Sequence, residues 1–295
     1  MELDILKPPG VGSSATNEER VTPFDFNDQA RPPPTRHPQE LTKLINSLAY
    51  RHSAWQVFSD FVEASAISIS NAVDKPQFEK REARYMELIK RYNKEELAKL
   101  PEMLGHLIEA LEHETTDVLG KVFHDLELHN KWTGQFFSPY HLCKMMAKMT
   151  ADKEHVESII AESGFVRASE PCVGSGAMVI ALAEAMKEDG INYQQHLHVT
   201  AVDVDIKCVH MAYIQLSLLH IPAVIVHGNT LSLEEYSHWY TPAHIMGGWN
   251  YKLRHASSSD EKHEIIAAPV APMEPLGQQE EKPITREPPS QLTLF

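Results

Sequence analysis

Long apolar runs, cysteine and positive charge are all scarce in this 295-residue sequence. The apolar stretches are short and broken by polar residues, so none reaches the roughly 20 residues that a membrane-spanning helix needs. The opening residues MELDILKPPG carry neither a basic stretch nor an apolar one, and no secretory signal is read there. The three cysteines, Cys143, Cys172 and Cys208, are far apart and odd in number, which gives neither a disulfide framework nor a zinc spacing. A reducing, cytoplasmic setting is the expectation. Lys and Arg number 27 against 41 Asp and Glu, a formal net charge of −14. The tails do not account for this, since residues 41–248 alone hold 27 acids and 18 bases. Proteins that grip duplex DNA unaided present a basic face that displaces counterions, so strong unaided DNA binding is not expected. The 17 histidines are scattered without a metal-ligand spacing, and no metal is expected.

What is present is enough apolar residue, 42% of the chain, to bury a core. Residues 1–40, with RPPPTRHP at 31–38, read as a disordered tail. From Leu41 to about residue 133 the pattern is helical. Leu44, Ile45, Leu48, Trp55, Phe58, Phe61 and Val62 recur at spacings of three and four, as a buried helix face requires. Another stripe runs through Leu104, Leu107, Ile108 and Leu111. Such stripes are usually ordinary packing. A second pattern occupies 134–251. Helices are expected at 139–149, 152–163, 177–188 and 206–219, and strands at 164–170, 198–204 and 223–229, with a weaker one at AHIM 243–246. Alternation of strand and helix argues for an α/β fold with a parallel, Rossmann-like sheet, preceded by the α-helical region. The stretch 252–290 is rich in Pro, Glu, Gln and Ser and reads as a flexible linker.

The junction after the first strand reads Glu170-Pro171-Cys172-Val173-Gly174-Ser175-Gly176-Ala177. Two glycines between a strand and a helix allow a tight turn and the close approach of a ligand to backbone N–H groups. An acid at the end of the second strand can accept hydrogen bonds from ribose hydroxyls, and Asp203 sits there, with Asp205 a second candidate. The pattern suits a nucleoside cofactor. A purely structural glycine turn is the alternative.

These residues resemble the motifs of the N6-adenine DNA methyltransferase family, in the form found in the modification subunits of type I restriction systems. EPCVGSGAM at 170–178 is similar to the family's D-P-x-C-G-S-G, and GQFFSP at 134–139 to G-Q-F-Y-T-P. AVDVD at 201–205 resembles the second motif, HGNTL at 227–231 the N-D-T-L run, and DVLGKVF at 117–123 the D-x-L-G-x-x-Y helix. The resemblance implies a methyltransferase-type Rossmann-like fold with S-adenosylmethionine (SAM) as cofactor. Phe136, Phe137, Ser138 and Pro139 would line the methionine pocket, core packing being the alternative for the two aromatics. Glu170, Pro171, Gly174 and Gly176 would meet the amino-acid part and ribose. Asp203 would hold the ribose hydroxyls, Val204 would pack on the adenine, and Asn229 would sit near the adenine amino group.

The family also carries [DNS]-P-P-[YFW] after its fourth strand, where the first side chain accepts the amine hydrogens and the aromatic ring stacks on a flipped base. No such tetrapeptide occurs here. Met246-Gly247-Gly248-Trp249 stands in a comparable place, and Met246 cannot accept an amine hydrogen bond as Asp or Asn does. Trp249, Asn250 and Asp205 are the substitute catalytic candidates, and a core aromatic is the alternative for Trp249. The sheet is expected to be shortened relative to the family.

The chain ends Gln291-Leu292-Thr293-Leu294-Phe295, and QLTLF resembles the pentapeptide by which bacterial proteins dock on the replication sliding clamp. Gln291, Leu292, Leu294 and Phe295 would make that contact at the end of a tether. Two readings follow. One is an enzyme that methylates DNA with the clamp offsetting weak DNA affinity. The other is a SAM-binding protein without methyl transfer, docked on the clamp or on a partner such as a second methyltransferase or a specificity subunit.

Overall fold

The computed structural model describes residues 36–128 and 137–259 together with Ile266 and Ala267. Phe136, most of the proline-rich tail, most of 252–290 and the pentapeptide 291–295 lie outside the described residues.

The helical region holds α1 (His37–Leu48), α2 (Ala54–Val73), α3 (Phe78–Ile89), α4 (Lys94–His113) and α5 (Val118–Asp125). Local chemistry sets their starts. The Ser53 side chain accepts the backbone N–H of Gln56 ahead of α2. Asn93 and Glu96 form a reciprocal capping box ahead of α4. α1 already begins at His37, inside the stretch read as a disordered tail. Leu41, Ile45, Phe58, Phe61 and Leu107 are buried and belong to one continuous core with the sheet layer.

The second region runs α6 (Tyr140–Thr150), α7 (Lys153–Ser163), β1 (Val166–Glu170), α8 (Ala177–Glu188), α9 (Tyr193–His196), β2 (Leu197–Asp203), α10 (Ile206–Leu218), β3 (Ala223–Asn229), β4 (Glu234–Tyr240), α11 (Pro242–Met246), α12 (Trp249–Ser259) and β5 (Ile266–Ala267). The sheet order is β4-β3-β2-β1-β5. β1, β2, β3 and β5 are parallel, with Val166 opposite Leu197 and Val199 opposite Ala223. α10 is buried at every residue from Cys208 to Ser217, as a helix covered on all sides must be. It packs on β2 and β3, and α2 and α5 pack on it, so the helical region and the sheet share one interior.

Two expectations are corrected. AHIM at 243–246 is not a strand but lies in α11. Thr241 accepts the N–H of His244 with its hydroxyl, and Pro242 opens the first turn, so Thr-Pro acts as a helix start. The next strand is instead β4, which returns antiparallel along β3, with Val224 opposite Tyr240 and a register shift at His227/Gly228. Lys252, where the linker was expected to start, lies inside α12. Among the described residues no helix is long and apolar enough to cross a membrane.

Candidate cofactor site

β1 ends at Glu170, and the chain turns through Pro171–Gly176 into α8. Gly174 and Gly176 have φ of +54° and +98°, values that side chains other than glycine's rarely tolerate. A Cβ on Gly174 would also stand 3.1 Å from the Phe137 ring. The turn is held to β2 from two sides. Val173 N–H donates to the Val202 carbonyl at 2.9 Å, and Gly174 N–H to Asp203 Oδ2 at 2.9 Å. Asp203 Oδ1 accepts the Asp205 N–H at 2.9 Å. Each oxygen of this carboxylate thus holds one backbone donor and keeps further acceptor capacity.

Phe137, Ser138, Cys172, Gly174, Asp203 and Val204 line a cavity of about 270 Å³ at this turn. Five residues named from the sequence therefore come together there: Phe137, Ser138, Gly174, Asp203 and Val204. The others stand around it. Gly176 caps the N-terminus of α8, and the Pro139 carbonyl accepts the Leu142 and Cys143 N–H groups of α6. Glu170 lies on the neighbouring apolar groove beside Met178, and its carboxylate accepts the Cys172 N–H at 3.1 Å. The Pro171 carbonyl accepts the Thr230 hydroxyl at 2.6 Å. Asn229 does not line the cavity. Its side chain accepts the N–H groups of Leu231 and Ser232 and shapes the β3–β4 turn.

Burial raises the carboxyl of Asp203 above its ordinary range, against the pull of the backbone N–H groups on it. Burial also raises Glu170, and the Asp203 charge adds to it. Two acids that disfavour each other's charge make a site suited to a cationic ligand. SAM, with its sulfonium and ammonium groups, matches that character. The exposed apolar side chain of Val204, beside Asp203, offers a surface on which a base can pack. The chain's own residues thus fit the cofactor, which supplies an electrophilic methyl group when bound.

A second set of contacts, not foreseen in the sequence, ties this turn to α5. Asp117 caps α5 by accepting the Gly120 N–H, and it accepts the Ser175 hydroxyl at 2.5 Å. A Cβ on Gly120 would run into the Asp117 carboxylate, so the glycine of DVLG is there for close approach. Gln215, fully buried on α10, accepts the N–H groups of Val118 and Leu119 and donates to Asp117 Oδ1 and the Ser175 carbonyl. A lone glutamine in an apolar helix pattern was the only signal available for it.

The substitute catalytic candidates have their side chains engaged in packing or capping contacts. Trp249 is buried, edge-on to Phe165 and tilted against His198, with Lys252 over its ring. Asn250 takes up His244 at 3.1 Å. Asp205 caps α10 through the Lys207 N–H and pairs with the Lys207 ammonium at 2.9 Å. Met246-Gly247-Gly248-Trp249 joins two helices and follows no strand of the parallel set. The parallel strand beside β1, on the side away from β2, is β5. Strand order reverses there, and in open α/β sheets ligands bind at such a switch point, outside the carboxyl ends of the strands. The residues after β5 are Ala268-Pro269-Val270-Ala271, which lie outside the described residues.

The family model for the N-6 DNA methylases matches residues 115–274, more than half of the chain. No curated protein matches the sequence. Among solved structures, the chain is similar to one described as a class I S-adenosylmethionine-dependent methyltransferase from Listeria monocytogenes, at 13% identity and a TM-score of 0.34. That likeness covers 67% of this chain and spans 55% of the other. By the family match, this chain belongs to the N-6 DNA methylase family, whose cofactor is S-adenosylmethionine.

Proposed function

We propose that the chain binds SAM at the turn after β1, acts on or near DNA, and does not transfer a methyl group by itself. Phe137, Ser138, Gly174, Asp203 and Val204 hold the cofactor in this reading, with Glu170, Pro139 and Gly176 supporting them. The observation that carries the proposal is the sequence after β5. The family's tetrapeptide supplies an amine acceptor and an aromatic ring, and Ala268-Pro269-Val270-Ala271 supplies neither. The buried ring of Trp249 and the engaged side chains of Asn250 and Asp205 argue against their replacing it. The test is calorimetric titration of the full chain with SAM, followed by incubation with labelled SAM and duplex DNA. Binding without incorporation is expected. Incorporation into DNA by the purified chain would overturn the reading and favour an active enzyme.

The reading includes docking on a bacterial sliding clamp through Gln291, Leu292, Leu294 and Phe295. A net charge of −14 disfavours unaided DNA binding, and a tether to a ring already on DNA raises effective concentration. Purified clamp should retain the intact chain and lose it when residues 291–295 are removed. Equal retention of both would refute docking through this segment.

A further inference from the structure

We propose that His37, Glu109 and His113 form a binding site for a zinc-class divalent ion, built from α1 and α4. A ligand atom from each of the three lies within 4.8 Å of the other two. Glu109 and His113 are four residues apart on α4 and stand on one helix face. α1 packs along α4 and brings its first residue, His37, onto that face. His106, one turn before Glu109 and 69 residues from His37 in sequence, joins the group, with its Nδ1 at 3.1 Å from Nδ1 of His37. The His37 ring stacks on that of His113 with centroids 6.1 Å apart. His37 reaches the other three only because two helices pack, which is why the sequence alone does not reveal the full set.

The chemistry of the set is specific. Two imidazoles and one carboxylate are a ligand set that zinc takes while keeping one position open. Bonds of about 2.0–2.2 Å put tetrahedral ligand atoms roughly 3.3 Å apart, so the three side chains draw in on the ion from the spacing they have here. Glu109 Oε2 is buried with no hydrogen-bond partner among the described residues. A buried carboxylate oxygen is costly to leave so, and a cation satisfies it. Ligating histidines commonly donate their other ring N–H to a neighbour, which fixes the ring. His106 is placed to accept from His37 Nδ1 and act as that positioning residue. The ion would pin the start of α1 to the last turn of α4. Exposure of His113 gives it a path from solvent.

The test titrates Zn²⁺ alone into the chelator-stripped full chain against a chromophoric zinc indicator. One equivalent bound with a Kd below about 1 μM is expected. His113→Ala and Glu109→Gln should each weaken binding by at least about tenfold while circular dichroism stays unchanged. His113 is exposed and Glu109→Gln keeps the side chain's shape, so both variants leave the fold in place. X-ray absorption of the loaded chain should show nitrogen and oxygen ligands without sulfur. No binding tighter than about 100 μM, binding that both variants leave unchanged, or sulfur in the shell from a thiol such as exposed Cys172 would each overturn the site.

Discussion

At the scale of single residues, Asp203 is the side chain on which the cofactor turn closes. Its two oxygens fix Gly174 and Asp205 backbone groups while the cavity opens beside it. Asp203→Asn keeps the shape but points an amide donor at one of those N–H groups. SAM affinity should fall by about tenfold or more, equivalent to about 1.4 kcal/mol, in a calorimetric titration. Unchanged affinity would remove Asp203 from the site. His210 makes a second residue-scale case. Burial lowers its pKa from 6.5 to about 4. Above pH 6.5 neither the folded nor the unfolded chain protonates it, and its full contribution to stability is present. Between pH 6.5 and about 4 the unfolded chain takes up a proton that the folded chain refuses, so stability falls as pH falls, by on the order of 3 kcal/mol in all. His198, lowered by burial to about 3, acts in the same direction. Asp203 and Glu170, raised by burial, act oppositely: their contribution is present at acid pH and is lost as pH rises through their folded values. Nuclear magnetic resonance of the His210 ring isolates the prediction, which is a neutral imidazole at pH 5. A protonated ring at that pH would contradict it.

At the scale of elements, the contact between α5, α10 and the turn after β1 rests on Gln215. Gln215→Leu leaves two buried backbone N–H groups without their acceptor and frees Asp117 and the Ser175 carbonyl. The expected loss is about 3 kcal/mol in urea unfolding, with weaker SAM binding. A loss within experimental error would show that water or another side chain replaces it. The elements differ in how far the sequence reveals them. β3 follows AVIVHGN from its first residue to its last, and α8 spans the expected 177–188, because a largely buried strand and helix carry strong apolar patterns. β4, EEYSHWY, was missed because it is an edge strand, exposed over its first three residues and buried only at Trp239, so it carries no apolar alternation. β5 is two residues long, too short for any pattern. The motif residues at 137–138, 174 and 203–204 were legible because glycine and acid stand at fixed places around a turn. Gln215 and the full His37–Glu109–His113 group were not, since helix packing brings Gln215 to its partners and His37 to the side chains of α4.

At the scale of the whole molecule, the helical region is a wall of the sheet layer. α10 has no face for solvent, and α2 covers one side of it. A fragment of residues 115–274, the part that matches the family model, would expose that side. It should aggregate or fail to unfold cooperatively, whereas the full chain should melt in one transition. A soluble fragment with a cooperative melt would show that the two regions are separable. The sheet's two edges also differ. β4 ends it with Glu234 and Glu235 on an antiparallel return, while β5 pairs with β1 over two residues only.

The buried glutamine has a further consequence, kinetic rather than structural. Its amide spans the carbonyl of Ser175 in the cofactor turn and the first two N–H groups of α5. Those two hydrogens can leave for solvent only when Gln215 lets go, and a ligand that stills the turn makes that rarer. Deuterium uptake at Val118 and Leu119 is therefore a clock that runs slower when the site is filled, read in a helix that lies more than fifty residues earlier in the chain than the turn it reports on.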